Sequence, residues 1–258
     1  MFKMLRRAMW LYRNYSANDI IVRVVRHPKV AFRYFLRQKL VKQFSPDDIQ
    51  NLAKILGSTE KNIRNYISEI LNNKEEILQC FGYTAVKVKE QILYCIVRCL
   101  KPEKVVETGV FYGFSTYMIL RALNRNDYGH LYSIDLPAYY DSKYIPPKYR
   151  LPKNKQPGFI VPNSLKDRWE LLIGKTKERL PFLLKKLGSI DIFIHDSEHT
   201  YDNMMFEYET TSRYIRKGGI LFSDDITWNN SFDDFISKYA LQYLKFKSEE
   251  EVGLCIHP

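Results

Sequence analysis

Cysteine is scarce in this chain and has no pattern. The 258 residues contain four, Cys80, Cys95, Cys99 and Cys255, with no C-x-x-C pair. A zinc site is not indicated, and the reading is buried free thiols in a reducing cytosol. No apolar run approaches the roughly 18 to 20 residues that cross a bilayer. Lys3, Arg6 and Arg7 open the chain, but no apolar stretch or small-residue cleavage site follows, so no secretory signal is expected. Internal repeats and low-complexity tracts are missing too. Acid is nearly absent from one stretch. Residues 1–44 hold eleven Lys and Arg against one acid, Asp19, a net +10 of the chain's +11. The rest is close to neutral. Nucleic-acid enzymes carry basic charge around their active sites, so this distribution argues against a nucleic-acid substrate.

Residues 1–44 form a basic arm. Phe2, Leu5, Met9 and Tyr12 recur at helical spacing, as do Phe32, Phe35, Leu36 and Leu40. Two short amphipathic helices are expected. They can pack on the catalytic domain or on a second copy of the chain as a homodimer. They can also lie on an anionic membrane surface, at the inner face of the membrane of a cytoplasmic protein. Residues 45–84 read as a small helical region. Ser45-Pro46-Asp47-Asp48 is a helix start. After a stop at Gly57, Ser58 or Thr59 caps a second helix, with Ile63, Tyr66, Ile67, Ile70 and Leu71 on one face. A third helix over 85–100 leads to the first strand.

From Lys104 the texture changes. β-branched runs near 105–106, 131–134, 171–173, 190–194 and 219–223 alternate with helical stretches. That alternation predicts an α/β fold, a Rossmann-like, mostly parallel sheet with helices on both faces. Residues 242–247 and 251–257 read as an antiparallel hairpin at its edge, making seven strands.

The first strand runs into Val105-Val106-Glu107-Thr108-Gly109-Val110-Phe111-Tyr112-Gly113-Phe114-Ser115-Thr116. Gly109 permits a tight turn and close approach to a ligand. Gly113 lets the helix start pack on the strand. Ser115 or Thr116 sits where free N–H groups meet a carboxylate or ribose. Glu107, at the strand end, is placed to hold an ammonium group. The dinucleotide pattern G-x-G-x-x-G does not fit. The next strand ends at Asp135, 26 residues after Gly109. There an acid can accept from ribose hydroxyls. This segment resembles the first motif of class I S-adenosylmethionine methyltransferases, in particular the catechol O-methyltransferase-like branch. The resemblance implies that Glu107, Thr108, Gly109, Phe111, Gly113, Ser115 and Asp135 hold the methionine and ribose parts of S-adenosyl-L-methionine. It places Gly174 and Thr176 near the adenine.

Two further strand ends carry acids: His195-Asp196-Ser197-Glu198-His199-Thr200-Tyr201, and Gly218-Gly219-Ile220-Leu221-Phe222-Ser223-Asp224-Asp225. Asp196, Asp224 and Asp225 would converge on the carboxyl edge of the sheet. A divalent cation, Mg²⁺ or Mn²⁺, would relieve their repulsion. His199 can take a proton from a substrate hydroxyl. His195 is expected to pack beside the cofactor. The plainer alternative makes Asp196 and Asp224 helix caps and His199 a surface residue. These motifs are similar to metal-dependent methyltransferases related to the sugar O-methyltransferases of macrolide pathways. That resemblance covers about residues 85–258 and implies a metal on Asp196, Asp224 and Asp225, with His199 as base. Asp225 departs from the catechol branch, which has Asn there. The connection 136–170 is unusually long and aromatic, holding Tyr139, Tyr140, Tyr144, Tyr149, Phe159 and Trp169. It is either a binding loop for a sugar or a packing loop.

The expectation is metal-assisted O-methylation of a small-molecule or glycan hydroxyl. Metal-independent methyl transfer and a catalytically inactive Rossmann-fold binding protein, associated with a membrane or nucleic acid through the basic arm, stand beside it.

Overall fold

The computed structural model describes residues 44–73, 76–77, 86–139, 146, 149–248 and 251–258. The two helices expected before residue 44 lie outside the described residues, as do Cys80, Tyr140 and Tyr144. No helix among the described residues is long and apolar enough to cross a membrane.

Three helices precede the sheet: α1 (Pro46–Ile55), α2 (Glu60–Asn72) and α3 (Val88–Leu100). Their starts follow the local chemistry. Ser45 accepts from the Asp48 N–H at 3.1 Å, and Thr59 accepts from that of Asn62 at 3.2 Å. Then come β1 (Lys104–Thr108), α4 (Phe114–Asn126), β2 (His130–Asp135), β3 (Trp169–Ile173), α5 (Thr176–Leu187) and β4 (Ile190–His195). The chain ends with α6 (Tyr201–Ser212), β5 (Ile215–Ser223), α7 (Ser231–Lys238), β6 (Gln242–Lys245) and β7 (Gly253–Ile256).

The seven strands lie in the order β3-β2-β1-β4-β5-β7-β6. β1 to β5 are parallel, and β7 runs antiparallel to both β5 and β6. Successive side chains of β1 face opposite ways. Val105 joins one core with α3 and α4, and Val106 joins the other with α5 and α6. The helical region before the sheet shares the first core rather than owning one: Leu52, Ile63 and Ile70 pack with Ile92 and Val105. Leu71, expected on the inward face of α2, is 42% exposed.

Chain order reverses beside β1, because β2 and β3 lie to one side and β4 and β5 to the other. A crevice for ligands forms at such a point, outside the carboxyl ends of the strands.

The hairpin strands are shorter than the sequence suggests, and a distant carboxylate is the reason. Asp48, fully buried, accepts from the N–H groups of Lys247 (2.9 Å) and Ser248 (2.8 Å) and from the Ser248 hydroxyl. Those two residues leave the strand ladder to cap α1's acid. Burial pushes the Asp48 pKa up, but bonds from Ser248, Lys247 and Ser45 outweigh it and hold the carboxyl below its ordinary value. Asp48→Ala should therefore cost about 2–3 kcal/mol at pH 7, as the buried N–H of Ser248 and the part-buried N–H of Lys247 lose their acceptor. A depressed carboxylate stabilises above its unfolded pKa of about 4 and ceases to as pH falls through the folded value. Urea melts should show the gap between wild type and variant shrinking below that pH. An equal gap at pH 7 and at acid pH would contradict the assignment.

Candidate active site

The carboxyl ends of β1, β2 and β4 open onto a cleft of about 520 Å³. Gly109, Phe111, Asp135, Thr176 and Asp196 line it, all marked by the sequence. The loop after β1 passes through two left-handed residues, Gly109 (φ 84°) and Phe111 (φ 50°). Asp135 holds this loop. Its Oδ2 accepts from the N–H groups of Val110 (2.6 Å) and Phe111 (2.9 Å). Burial raises its pKa, and these bonds offset that only in part. Oδ1 takes no part in them and can receive a ligand's hydroxyl.

Other expected cofactor residues stand behind the wall. Glu107 is fully buried. It accepts from the hydroxyls of Ser115 (2.6 Å), Thr116 (2.7 Å) and Ser133 (2.8 Å). Both oxygens are thus used inside the fold, and the carboxylate ties β1 to β2 and α4 instead of meeting an ammonium. Burial raises its pKa despite the three bonds. Ser115 is occupied by the same bond. Gly109 is needed for a protein contact rather than a ligand: a Cβ there would lie 1.8 Å from the Asp196 carbonyl oxygen. At Gly113 a Cβ would lie 2.7 Å from Gly158 Cα, within the long connection. Gly174 turns the chain from β3 toward α5, its N–H donating to the Asp135 carbonyl at 2.9 Å.

The long connection both lines the cleft and packs into the core. Leu136, Tyr149 and Leu151 line the cleft. Ile160, Val161 and Leu165 are buried in the core, and the Trp169 indole donates to Ser133 at 2.9 Å.

A second buried carboxylate, Glu207 of α6, escaped the sequence reading. It accepts from Thr108 (2.6 Å), Ser197 (2.7 Å) and Asn203 (3.1 Å) and lies 2.7 Å from His195 Nδ1. Burial pushes its pKa up, but the His195 charge and these bonds outweigh it, leaving the value below normal. Thr108 and His195, both fully buried, therefore brace the strand ends and do not face the cleft. A signal was present: Asn203, Glu207 and Thr211 recur at i, i+4 and i+8, a polar stripe on the buried side of α6.

The acids at the ends of β4 and β5 are arranged differently from expectation. Lys89, in the first turn of α3, donates to Asp196 Oδ2 at 3.0 Å and to Asp224 Oδ2. Burial works against its charge, but the two carboxylates win and hold the ammonium pKa well above normal. Asp225 turns away and pairs with His199 Nε2 at 3.0 Å. The three acids thus serve two partners, and no group of three or more His, Cys, Asp or Glu among the described residues could hold a metal ion. A divalent ion bridging Asp196 and Asp224 would have to sit beside the Lys89 ammonium that already bridges them. At about 4 Å from the ammonium it would be repelled by on the order of 8 kcal/mol at an effective dielectric of 20. The expected Mg²⁺ or Mn²⁺ does not fit this arrangement. His199 is neutral at pH 7: burial, then the neighbouring His195, lowers its pKa to about 4. Asp225 is raised to about 6 by burial and by Asp224. It also adopts a left-handed φ of 52°, which turns its side chain out of the line of β5.

Residues 106–226 match the family model described as a methyltransferase domain. That match spans β1 to the end of β5, the part of the sheet whose strand ends form the cleft. A search of curated proteins gives no significant match. Solved structures of similar fold include a Staphylococcus aureus protein described as a caffeoyl-CoA O-methyltransferase. It shares 9% identity over 67% of this chain and 84% of that one, with a TM-score of 0.50. A Klebsiella pneumoniae protein described as an O-methyltransferase shares 18% identity over 84% and 99%, with a TM-score of 0.48. TomG, an O-methyltransferase from Streptomyces achromogenes, shares 14% over 73% and 89%, also at 0.48.

Gly109 and Gly188 both have positive φ, but nothing lies within 4 Å of a Cβ built at Gly188. Gly109→Ala should weaken binding of S-adenosylhomocysteine by at least about tenfold, as the cleft wall shifts to clear the Asp196 carbonyl. Gly188→Ala should leave it within about twofold. Equal effects in calorimetry would show that the close contact does not shape the cleft.

Proposed function

We propose that this protein transfers the methyl group of S-adenosyl-L-methionine to a hydroxyl oxygen of a small molecule or glycan. The observation that carries the reading is the cleft itself, with its loop held open by Asp135. The residues present suit the methyl donor. Asp135 keeps one carboxylate oxygen for a ribose hydroxyl. The Gly109 to Phe111 turn offers backbone beside the methionine part, and Thr176 borders the region that the resemblance gives to adenine. When bound, the donor supplies an electrophilic methyl group on its sulfonium.

A hydroxyl is a poor nucleophile until its proton leaves, so oxygen as acceptor calls for a base near the cleft. The His199–Asp225 pair supports this. Asp225 lies 3.0 Å from Nε2, which favours the proton of the neutral ring on that nitrogen and leaves Nδ1 as the basic atom; Nδ1 is buried and has no hydrogen-bond partner among the described residues, so a substrate hydroxyl must uncover it. The exposed Trp228 ring, 5.4 Å from that of His199, borders the approach. His199 takes the proton, Asp225 orients the ring, and the rest is alignment of oxygen, methyl carbon and sulfur.

The test is calorimetry with S-adenosylhomocysteine, followed by a screen of hydroxylated glycans and phenols with labelled methyl donor. One saturable site is expected. His199→Ala should keep that site and lower turnover by about 10²- to 10⁴-fold. Failure to bind S-adenosylhomocysteine would remove the reading, and an unchanged turnover would remove His199 from it.

A further inference from the structure

Lys89 lies 107 residues before Asp196 and 135 before Asp224 in sequence, yet its ammonium is bonded to both. Its side chain is only 13% exposed. Lysine side chains ordinarily keep the ammonium in water. Here the group gives up solvent to stand between two carboxylates at the rim of the cleft, since Asp196 is also a cleft residue.

We propose that the Lys89 ammonium is the resident cation of this acidic edge, filling from within the chain the place that the resemblance assigns to a divalent metal. The proposal rests on the methyltransferase reading only for what the adjoining cleft binds. Three observations support it. The carboxylates bonded to Nζ, those of Asp196 and Asp224, are the first two that the resemblance gives to a metal. The third acid, Asp225, is committed to His199. Lys89 also springs from a helix whose Ile92, Leu93, Ile96 and Val97 are buried in the core, so the helix bearing it is fixed in place. The charge delivered is single.

The full-length protein is titrated with MnCl₂ while free Mn²⁺ is followed by electron paramagnetic resonance. Affinity for S-adenosylhomocysteine is measured on the same preparations in EDTA and in Mg²⁺. The wild type should show no saturable Mn²⁺ site, and its S-adenosylhomocysteine affinity should be the same in both conditions. Lys89→Met, once shown folded by its circular dichroism melt, should gain one Mn²⁺ site, and adding Asp224→Asn should abolish it. Lys89→Arg, which keeps a cation, should gain none. A lysine with only a structural role would leave Mn²⁺ binding unmoved by these changes. A single Mn²⁺ site in the wild type that Asp224→Asn removes would overturn the proposal, whether or not Lys89→Met folds. So would a folded Lys89→Met that binds no Mn²⁺. Loss of S-adenosylhomocysteine binding in every condition would defeat the methyltransferase reading instead, and the Mn²⁺ titration would still decide the role of Lys89.

Discussion

The loop after β1 and the loop after β4 meet at backbone distance, and the cleft has its form because Gly109 has no side chain there. The ladder of β1 continues into both neighbours. The Gly109 N–H donates to the Ile134 carbonyl at 2.9 Å, and the Asp196 N–H donates to that of Thr108 at 2.9 Å. These bonds draw the Asp196 carbonyl over the Gly109 Cα, where any Cβ would collide. The chain must then leave in a left-handed turn, which exposes the N–H groups of Val110 and Phe111. Asp135 accepts both. One steric constraint thus decides the path of the loop and the carboxylate that greets a ligand.

Two buried acids hold the strand ends on either side of this point. Glu107 and Glu207 are adjacent through Thr108 and fully buried. Removing a carboxylate from water costs several kcal/mol. Each bond to a charged acceptor returns about 1.5–3 kcal/mol, and each acid has at least three such partners. The network is therefore sustainable, and it explains hydroxyls at Thr108, Ser115 and Ser133 in otherwise apolar surroundings. It also makes the strand ends stiff. A cleft that must align three reacting atoms gains from walls that do not move.

Much of this was legible in one dimension. Alternating β and α units, the caps at Ser45 and Thr59, and the acids and glycines at strand ends all follow from local chemistry, and local chemistry survives folding. Asp135 was readable because a doubly wound sheet sends the end of its second strand to the crevice. What could not be read was which way a side chain faces within a buried layer. Glu107 and Asp135 are both acids at strand ends, yet one faces inward to three hydroxyls and the other toward the cleft. The long connection divides within itself between lining and packing. Lys89 carries no local signal at all. It is one lysine among many near a helix start, and only the tertiary fold brings it to two acids more than a hundred residues away.

The sequence argument that three converging acids need an outside cation is sound in its first half. Like charges at one edge do require compensation, but electrostatics asks only for positive charge, not for a metal. A lysine satisfies two acids with directed N–H bonds and releases the third. That release has a chemical consequence. Asp225, which Lys89 does not engage, stands 3.0 Å from His199 Nε2. His199 and Asp225 thus stand as a pair of their own, with the cation for Asp196 and Asp224 supplied from elsewhere in the chain. The acids are shared between two separate groups, Lys89 on Asp196 and Asp224, and His199 on Asp225.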